Sequence, residues 1–375
     1  MKAARGLNAL ARIGAILMVL SALSIPIFET RASVPEPKKQ LMSAAYLMDR
    51  GSLTLRDADA QHLTHLYYAF GLIEDGELTV SHLRQWDKLL RYREKFPHIR
   101  LILAIGGWGA DGFSQAVKTE ETRSRFVNSI VETIRAYDLD GIDLDWEYPT
   151  LSTGGIAASD GDRENLVSLV RELRGAMNRL EAQTGKRYQL SLAVGASEGI
   201  LKGIDARALS GLIDCVNVMT YDLRTEKKAT HQANLYPAAY DDSEISADTA
   251  IRLLQSMGFA REQLVIGGAA YGRIWTGATE LGGSTLSKGN KSIAYDKVRS
   301  EYMSQDAYTY HWDETAMAPY LLGEQTFISF DDPRSMRLKA EYARDRGLGG
   351  MMFWEYTQDS SGDLLRAMSL GLRTD

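Results

Sequence analysis

The ten residues 140–149 read DGIDLDWEYP, and no other stretch restricts the fold of this 375-residue chain as tightly. Ile142, Leu144 and Trp146 alternate strictly with Asp143, Asp145 and Glu147, the period-two pattern of a β-strand whose successive side chains point to opposite faces. One face is apolar and the other carries three carboxyls. Neighbours on one strand face lie roughly 6.6 Å apart, too close for three acids to ionise cheaply. If the apolar face packs under helices and the acidic face points into a barrel, repulsion and desolvation raise at least one pKa, and the acid at the end of the row keeps its proton near neutrality. Such a group is a general acid. The alternative, a solvated antiparallel strand with an acidic outer face, accounts for neither Gly141 nor the aromatic pair Trp146 and Tyr148.

Around this strand, short apolar segments alternate with longer helical patterns. Strands are predicted near 41–47, 63–70, 99–106, 139–145, 188–194, 214–220, 264–270 and 349–354. Eight strands joined by helices give an α/β fold, a (β/α)8 TIM barrel spanning 41–375. The connecting helices show as apolar stripes, for instance Phe126, Ile130 and Ile134, or Leu166, Leu169, Val170 and Leu173. Between the seventh and eighth strands the chain is too long for one helix, and 275–328 is rich in Gly, Tyr and Thr. A small α+β insertion is predicted there.

With 45% hydrophobic and 25% charged residues the composition is that of an ordinary globular protein, and a formal charge of -6 argues against a nucleic-acid surface. No Gly-rich phosphate loop, HExxH or paired CxxC occurs, so no cofactor and no metal is expected. The single cysteine, Cys215, excludes an internal disulfide and reads as core packing. Lys2, Arg5 and Arg12 precede an apolar run over 13–28, followed by Thr30, Arg31 and Ala32. Together they predict a secretory signal peptide over 1–32, a polar linker over 33–40 and a secreted or periplasmic protein. The run is short for a membrane span and contains Pro26, so stable membrane insertion is not expected; an uncleaved anchor is the alternative.

The pattern DxxDxDxE, present as Asp140, Asp143, Asp145 and Glu147, resembles the signature of glycoside hydrolase family 18, the chitinases and their relatives. The ending WEYP at 146–149 resembles chitinases more closely than the endo-β-N-acetylglucosaminidase branch. The resemblance implies that Glu147 is the proton donor and that the substrate's own 2-acetamido oxygen attacks, forming an oxazolinium ion. Asp145 would then hold the acetamido N–H, Tyr221 its carbonyl oxygen, and Asp143 would share a proton with Asp145.

Other strand ends carry matching runs. Met219, Tyr221 and Asp222 lie in MTYD, similar to the family's MxYD; Tyr271 and Arg273 lie in AAYGR; Trp354, in MMFWEY, takes the position of the hydrophobic floor beneath the sugar. Residues 104–108, AIGGW, resemble the SxGG run with Ala104 in the serine position. Tyr46, Tyr68 and Phe70 either line the barrel mouth or fill the barrel. Tyr148, Trp108 and Trp275 are further candidates for sugar contact; Trp86 and Trp312 are not carried forward. These residue types suit a pyranose, which offers an apolar face for stacking and a rim of hydroxyls for polar groups. The implied protein is a secreted, monomeric chitinase acting on β-1,4 bonds of chitin or chitooligosaccharides. The alternatives are an endo-β-N-acetylglucosaminidase on N-glycans and a non-catalytic chitin-binding lectin on the same barrel.

Overall fold

The computed structural model describes residues 40–240 and 244–373. The predicted signal peptide and the linker up to residue 39 lie outside them. Eight strands run parallel: β1 (Met42–Met48), β2 (His65–Glu74), β3 (Arg100–Gly106), β4 (Gly141–Asp145), β5 (Gln189–Val194), β6 (Cys215–Val218), β7 (Leu264–Ala269) and β8 (Gly350–Trp354). They pair in sequence order, and β1 bonds to both β8 and β2. The sheet therefore closes into the expected (β/α)8 barrel.

The acidic strand behaves as its alternation demands. Ile142, Leu144 and Trp146 join the outer core under the helices, with Trp146 stacked on Phe113 at 5.1 Å between ring centroids. Asp143 and Asp145 turn into the barrel and are buried. At the base of the strand a Cβ on Gly141 would lie 2.2 Å from the Gln189 carbonyl oxygen, so this glycine serves the close approach of β4 to β5. Helices around the barrel begin and end on recognisable caps. Thr119, Ser246 and Asp332 each accept from a backbone N–H three residues on, and Gly185 and Gly347 close helices with φ of 70° and 67°.

Between β7 and β8 lies a five-stranded sheet ordered Lys291–Ala294, Tyr271–Thr276, Thr326–Ser329, Ala318–Leu322, Thr309–Asp313. Its first strand begins four residues before the predicted start of the insertion. One face, carrying Ile274, Ile293, Leu321 and Ile328, merges with the main core, while Trp275 and Phe327 on the other pack on Ala229 and Ala278. Trp275 is thus 0% exposed, with its Nε1 donating to the Thr225 carbonyl at 3.3 Å. The expectation that Trp275 contacts sugar is corrected here: residues 223–240 cover that face of the sheet. Tyr68 is likewise removed from the mouth, since it points outward against Trp86 and donates to Asp49 at 2.6 Å. Among the described residues no helix is long and apolar enough to cross a membrane.

A buried ion pair fastens the return from the insertion to the barrel. Lys339 Nζ lies 2.7 and 2.6 Å from the two oxygens of Asp331, both side chains are 0% exposed, and Asp331 also accepts from the Ala269 N–H at the end of β7. Removing one partner of such a pair strands the other charge in the core. Lys339→Met is expected to lower unfolding free energy by about 3–5 kcal/mol in urea titrations, and adding Asp331→Leu should restore much of the loss. A single variant as stable as wild type would refute the assignment.

Candidate active site

The C-terminal ends of the barrel strands open into one cleft of about 1550 Å³. Tyr46, Phe70, Trp108, Asp145, Glu147, Tyr148, Met219, Tyr221, Asp222, Tyr271, Arg273 and Trp354 all line it. Of the residues singled out in the sequence for the barrel mouth, Trp275 and Tyr68 are elsewhere, and Asp143 lies just below the surface of the cleft, fully buried.

The floor is aromatic. Trp354 at the end of β8 lies nearly parallel to Phe70, with centroids 5.4 Å apart, and 5.9 Å from Tyr46. Trp108, 67% exposed, stands on the rim with its ring 6.5 Å from Tyr148. The turn that carries it needs its glycines. Gly106 and Gly107 have φ of 112° and 90°, and a Cβ on Gly107 would fall 2.6 Å from the Phe70 ring.

On the other wall Arg273 clamps Asp222 in two parallel bonds of 2.6 and 2.7 Å and lies over the Tyr271 ring at 5.3 Å. Gln232, absent from the sequence-level candidates, locks this corner. Its amide accepts from the Asp222 N–H at 3.4 Å and donates to the Tyr271 carbonyl at 2.8 Å. Tyr221 packs edge-on to Tyr271 at 6.1 Å.

The carboxylate row shows three different environments. Asp143 receives Tyr46 Oη at 2.8 Å, Ser191 Oγ at 2.6 Å and Asn217 Nδ2 at 3.1 Å. Burial pushes its pKa up to about 6, and these three donors pull against the rise. Asp145 has an Oδ1 that is buried and without a partner. Burial, then the charges of Glu147 and Asp143, drive its pKa well above the ordinary range. Glu147, at the row's end, is raised to about 7 by burial, with Asp222 adding to the rise and Tyr148 opposing it. The row can therefore hold protons that isolated carboxylates would lose.

Ser191 and Asn217 were not legible as site residues. In register, Asp143 sits between Ala104 on β3 and Ser191 on β5, so a hydroxyl from β5 reaches the acid where the serine position of β3 holds alanine. The available signal was a polar residue at an inward position of an otherwise apolar strand, as in LSLAV and CVNV. Among the described residues no three His, Cys, Asp or Glu side chains gather as metal ligands.

A sequence model of the family described as Glycosyl hydrolases family 18 matches residues 42–359. The chain belongs to glycosyl hydrolase family 18. It is 31% identical to Chitinase A1 of Niallia circulans over 313 residues, which cover 77% of this chain and 44% of that protein. It is 30% identical to Chitotriosidase-1 of Mus musculus over 318 residues, covering 80% of this chain and 68% of that one. The chain thus spans about half the length of several relatives, including 53% of the Probable endochitinase of Orgyia pseudotsugata multicapsid polyhedrosis virus. Among solved structures, a family 18 N-acetylglucosaminidase from Paenibacillus barengoltzii matches with a TM-score of 0.85 at 35% identity, covering 88% of this chain and 99% of that one. A chitinase-like agglutinin from Robinia pseudoacacia matches with a TM-score of 0.78 at 28% identity, covering 88% of this chain and 100% of that one.

Proton binding by the row carries a stability cost. Glu147 binds its proton more tightly folded than unfolded, so the folded state is favoured below the ordinary carboxylate range, and that advantage is lost as pH rises through about 7. Glu147→Gln removes the dependence. Its Tm is expected to match wild type near pH 4 and to exceed it by about 2–6 °C at pH 8, measured by calorimetry; equal Tm values at both pH values would contradict the buried, protonated state.

Proposed function

We propose that this family 18 protein hydrolyses β-1,4 bonds between N-acetylglucosamine units of chitin oligomers, with retention of configuration. The observation that carries the reading is Asp145 Oδ1, a buried oxygen with no protein partner, beside an acid poised near 7. An acetamido N–H on the sugar over Trp354 satisfies that oxygen and directs its carbonyl oxygen at C1. Tyr221, which lines the same wall, bonds that carbonyl oxygen.

Glu147 gives its proton to the glycosidic oxygen as the acetamido oxygen forms the new bond to C1. The leaving sugar departs with the proton, and a positively charged oxazolinium remains. Asp145 opposes the charge, with Asp143 taking part of its proton. Water then adds to C1, its proton passing to the Glu147 carboxylate. A nucleophilic carboxylate opposite the acid is not needed, and Asp222, on the cleft wall, is engaged by Arg273. A sugar-binding protein without turnover needs no acid of this kind, which disfavours the lectin reading. Export is supported by Lys2, Arg5 and Arg12 ahead of the apolar run 13–28.

A panel of fluorogenic chitobioside and chitotrioside, fully deacetylated glucosamine oligomers and a high-mannose glycoprotein tests the substrate. Cleavage of the acetylated oligomers alone is expected; release from the glycoprotein without chitotrioside cleavage would select the endo-β-N-acetylglucosaminidase instead. Glu147→Gln should lower kcat by about 10²–10⁴ while chitotriose binding changes little. Near-normal turnover would mean that Glu147 is not the acid.

A further inference from the structure

Asn217 takes no part in the chemistry above, yet it is 0% exposed in the middle of β6. Its Nδ2 donates twice, to Asp143 Oδ1 at 3.1 Å and to the Tyr46 hydroxyl at 2.9 Å, which uses both amide hydrogens. A phenol oxygen that accepts from Asn217 turns its own hydrogen to Asp143 Oδ2, 2.8 Å away. Ser191 supplies the third donor at 2.6 Å. With Nδ2 holding the Tyr46 hydroxyl in place, all three groups direct hydrogens at Asp143, an arrangement that favours the carboxylate over the carboxylic acid.

The same amide leaves Asn217 Oδ1 buried and without a partner. A buried orphan carbonyl destabilises a core, so packing alone would be better served here by leucine. What the barrel gains from asparagine is the pair of donors.

We propose that Asn217 is a positioning residue for this reaction: it fixes the Tyr46 proton on Asp143 and, with Ser191, keeps Asp143 the ionised member of the Asp143–Asp145 pair, able to accept the proton of Asp145. The inference rests on the function proposed above. As the oxazolinium forms, the proton leaves the Asp145 carboxyl for an Asp143 oxygen, and the negative charge passes to Asp145, where it faces the acetamido N–H. If Asp143 were already protonated, Asp145 could not discharge its proton in this direction.

The groups facing Asp143 from the surrounding strands are Tyr46 on β1, Tyr67 on β2, Asp145 on its own strand, Ser191 on β5, and Cys215 and Asn217 on β6. Burial pushes the Tyr46, Tyr67 and Cys215 pKa values up, so these groups stay neutral. The ionisation of Asp143 is therefore set by its donors and by Asp145. Taking away the amide removes one donor outright and frees the Tyr46 hydroxyl to turn elsewhere, which lets burial raise Asp143 further. The acid limb of turnover, below which Asp143 is protonated, then moves to higher pH.

The test uses the full chain with wild type, Asn217→Leu and Ser191→Ala. Two quantities are measured: the titration of the Asp143 side-chain carboxyl carbon by NMR of ¹³C-aspartate-labelled protein without substrate, and the pH profile of kcat and KM on chitotrioside. For Asn217→Leu the Asp143 midpoint is expected to rise by about one pH unit or more. The acid limb should move with it, and kcat at pH 6 should fall about tenfold or more, with KM within about threefold. Ser191→Ala should shift both in the same direction by less. An unmoved Asp143 midpoint in the folded variant, whatever happens to its Tm, overturns the proposal. If Asn217→Leu does not fold, the Ser191→Ala midpoint decides in the same way. A wild-type protein inactive on acetylated oligomers would count against the proposed function, while the substrate-free NMR midpoint would still decide the role of Asn217.

Discussion

A carboxylate held inside a closed barrel without a counter-ion is the condition on which the rest of this structure depends. Asp143 is fully buried, forms no ion pair, and rests on three uncharged donors from β1, β5 and β6. A lysine or arginine in their place would hold the acid at or below the ordinary carboxylate range and fix its charge near neutrality. Neutral donors leave it within reach of a proton. They meet only because the strands close in register, with Asp143 level with Ala104 and Ser191, so closure of the sheet is itself a requirement of the chemistry.

The molecule contains a second kind of buried acid, and the contrast is instructive. Asp331 has Lys339 against both oxygens, the Ser335 hydroxyl and a backbone N–H, so its bonding capacity is used up and its role is to hold the insertion to the barrel. Asp145 and Glu147 have no cation, and Asp145 keeps an oxygen without a partner. Holding Glu147 near 7 costs about 3 kcal/mol at high pH. The apolar backs of the same strand, Ile142, Leu144 and Trp146, lie in the outer core, where burial of such side chains contributes stabilisation of about 1.5–3 kcal/mol each. One strand thus carries both the cost and part of what offsets it.

Much of this was legible from residues 140–149 and from the ends of the other strands, because period-two alternation fixes which side chains face inward. The barrel and the position of the insertion follow from the alternation of strand and helix patterns, and the gathering of Tyr221, Asp222, Arg273 and Trp354 from their resemblance to the family's strand-end motifs together with the rule that barrel sites lie at the C-terminal strand ends. Three things were not legible. Trp275 shares its strand with Arg273, which reaches the cleft, but an inserted sheet is covered on both faces, and no local pattern says which aromatic lies beneath a loop. Tyr68 lies one residue from inward-facing Tyr67, and a register error of one reverses every side chain. Ser191, Asn217 and Gln232 act through partners distant in sequence, so their meaning exists only in the folded barrel.

The central claim is that no enzymic nucleophile is needed, because the substrate's acetamido group attacks while the row manages the protons. The anomeric configuration of the first product reports this directly. Proton NMR recorded within the first moments of chitotetraose hydrolysis is expected to show the newly formed reducing end predominantly as the β anomer, relaxing later toward the equilibrium mixture. A predominantly α anomer at early time would show that water attacks C1 in a single displacement, and would contradict the account.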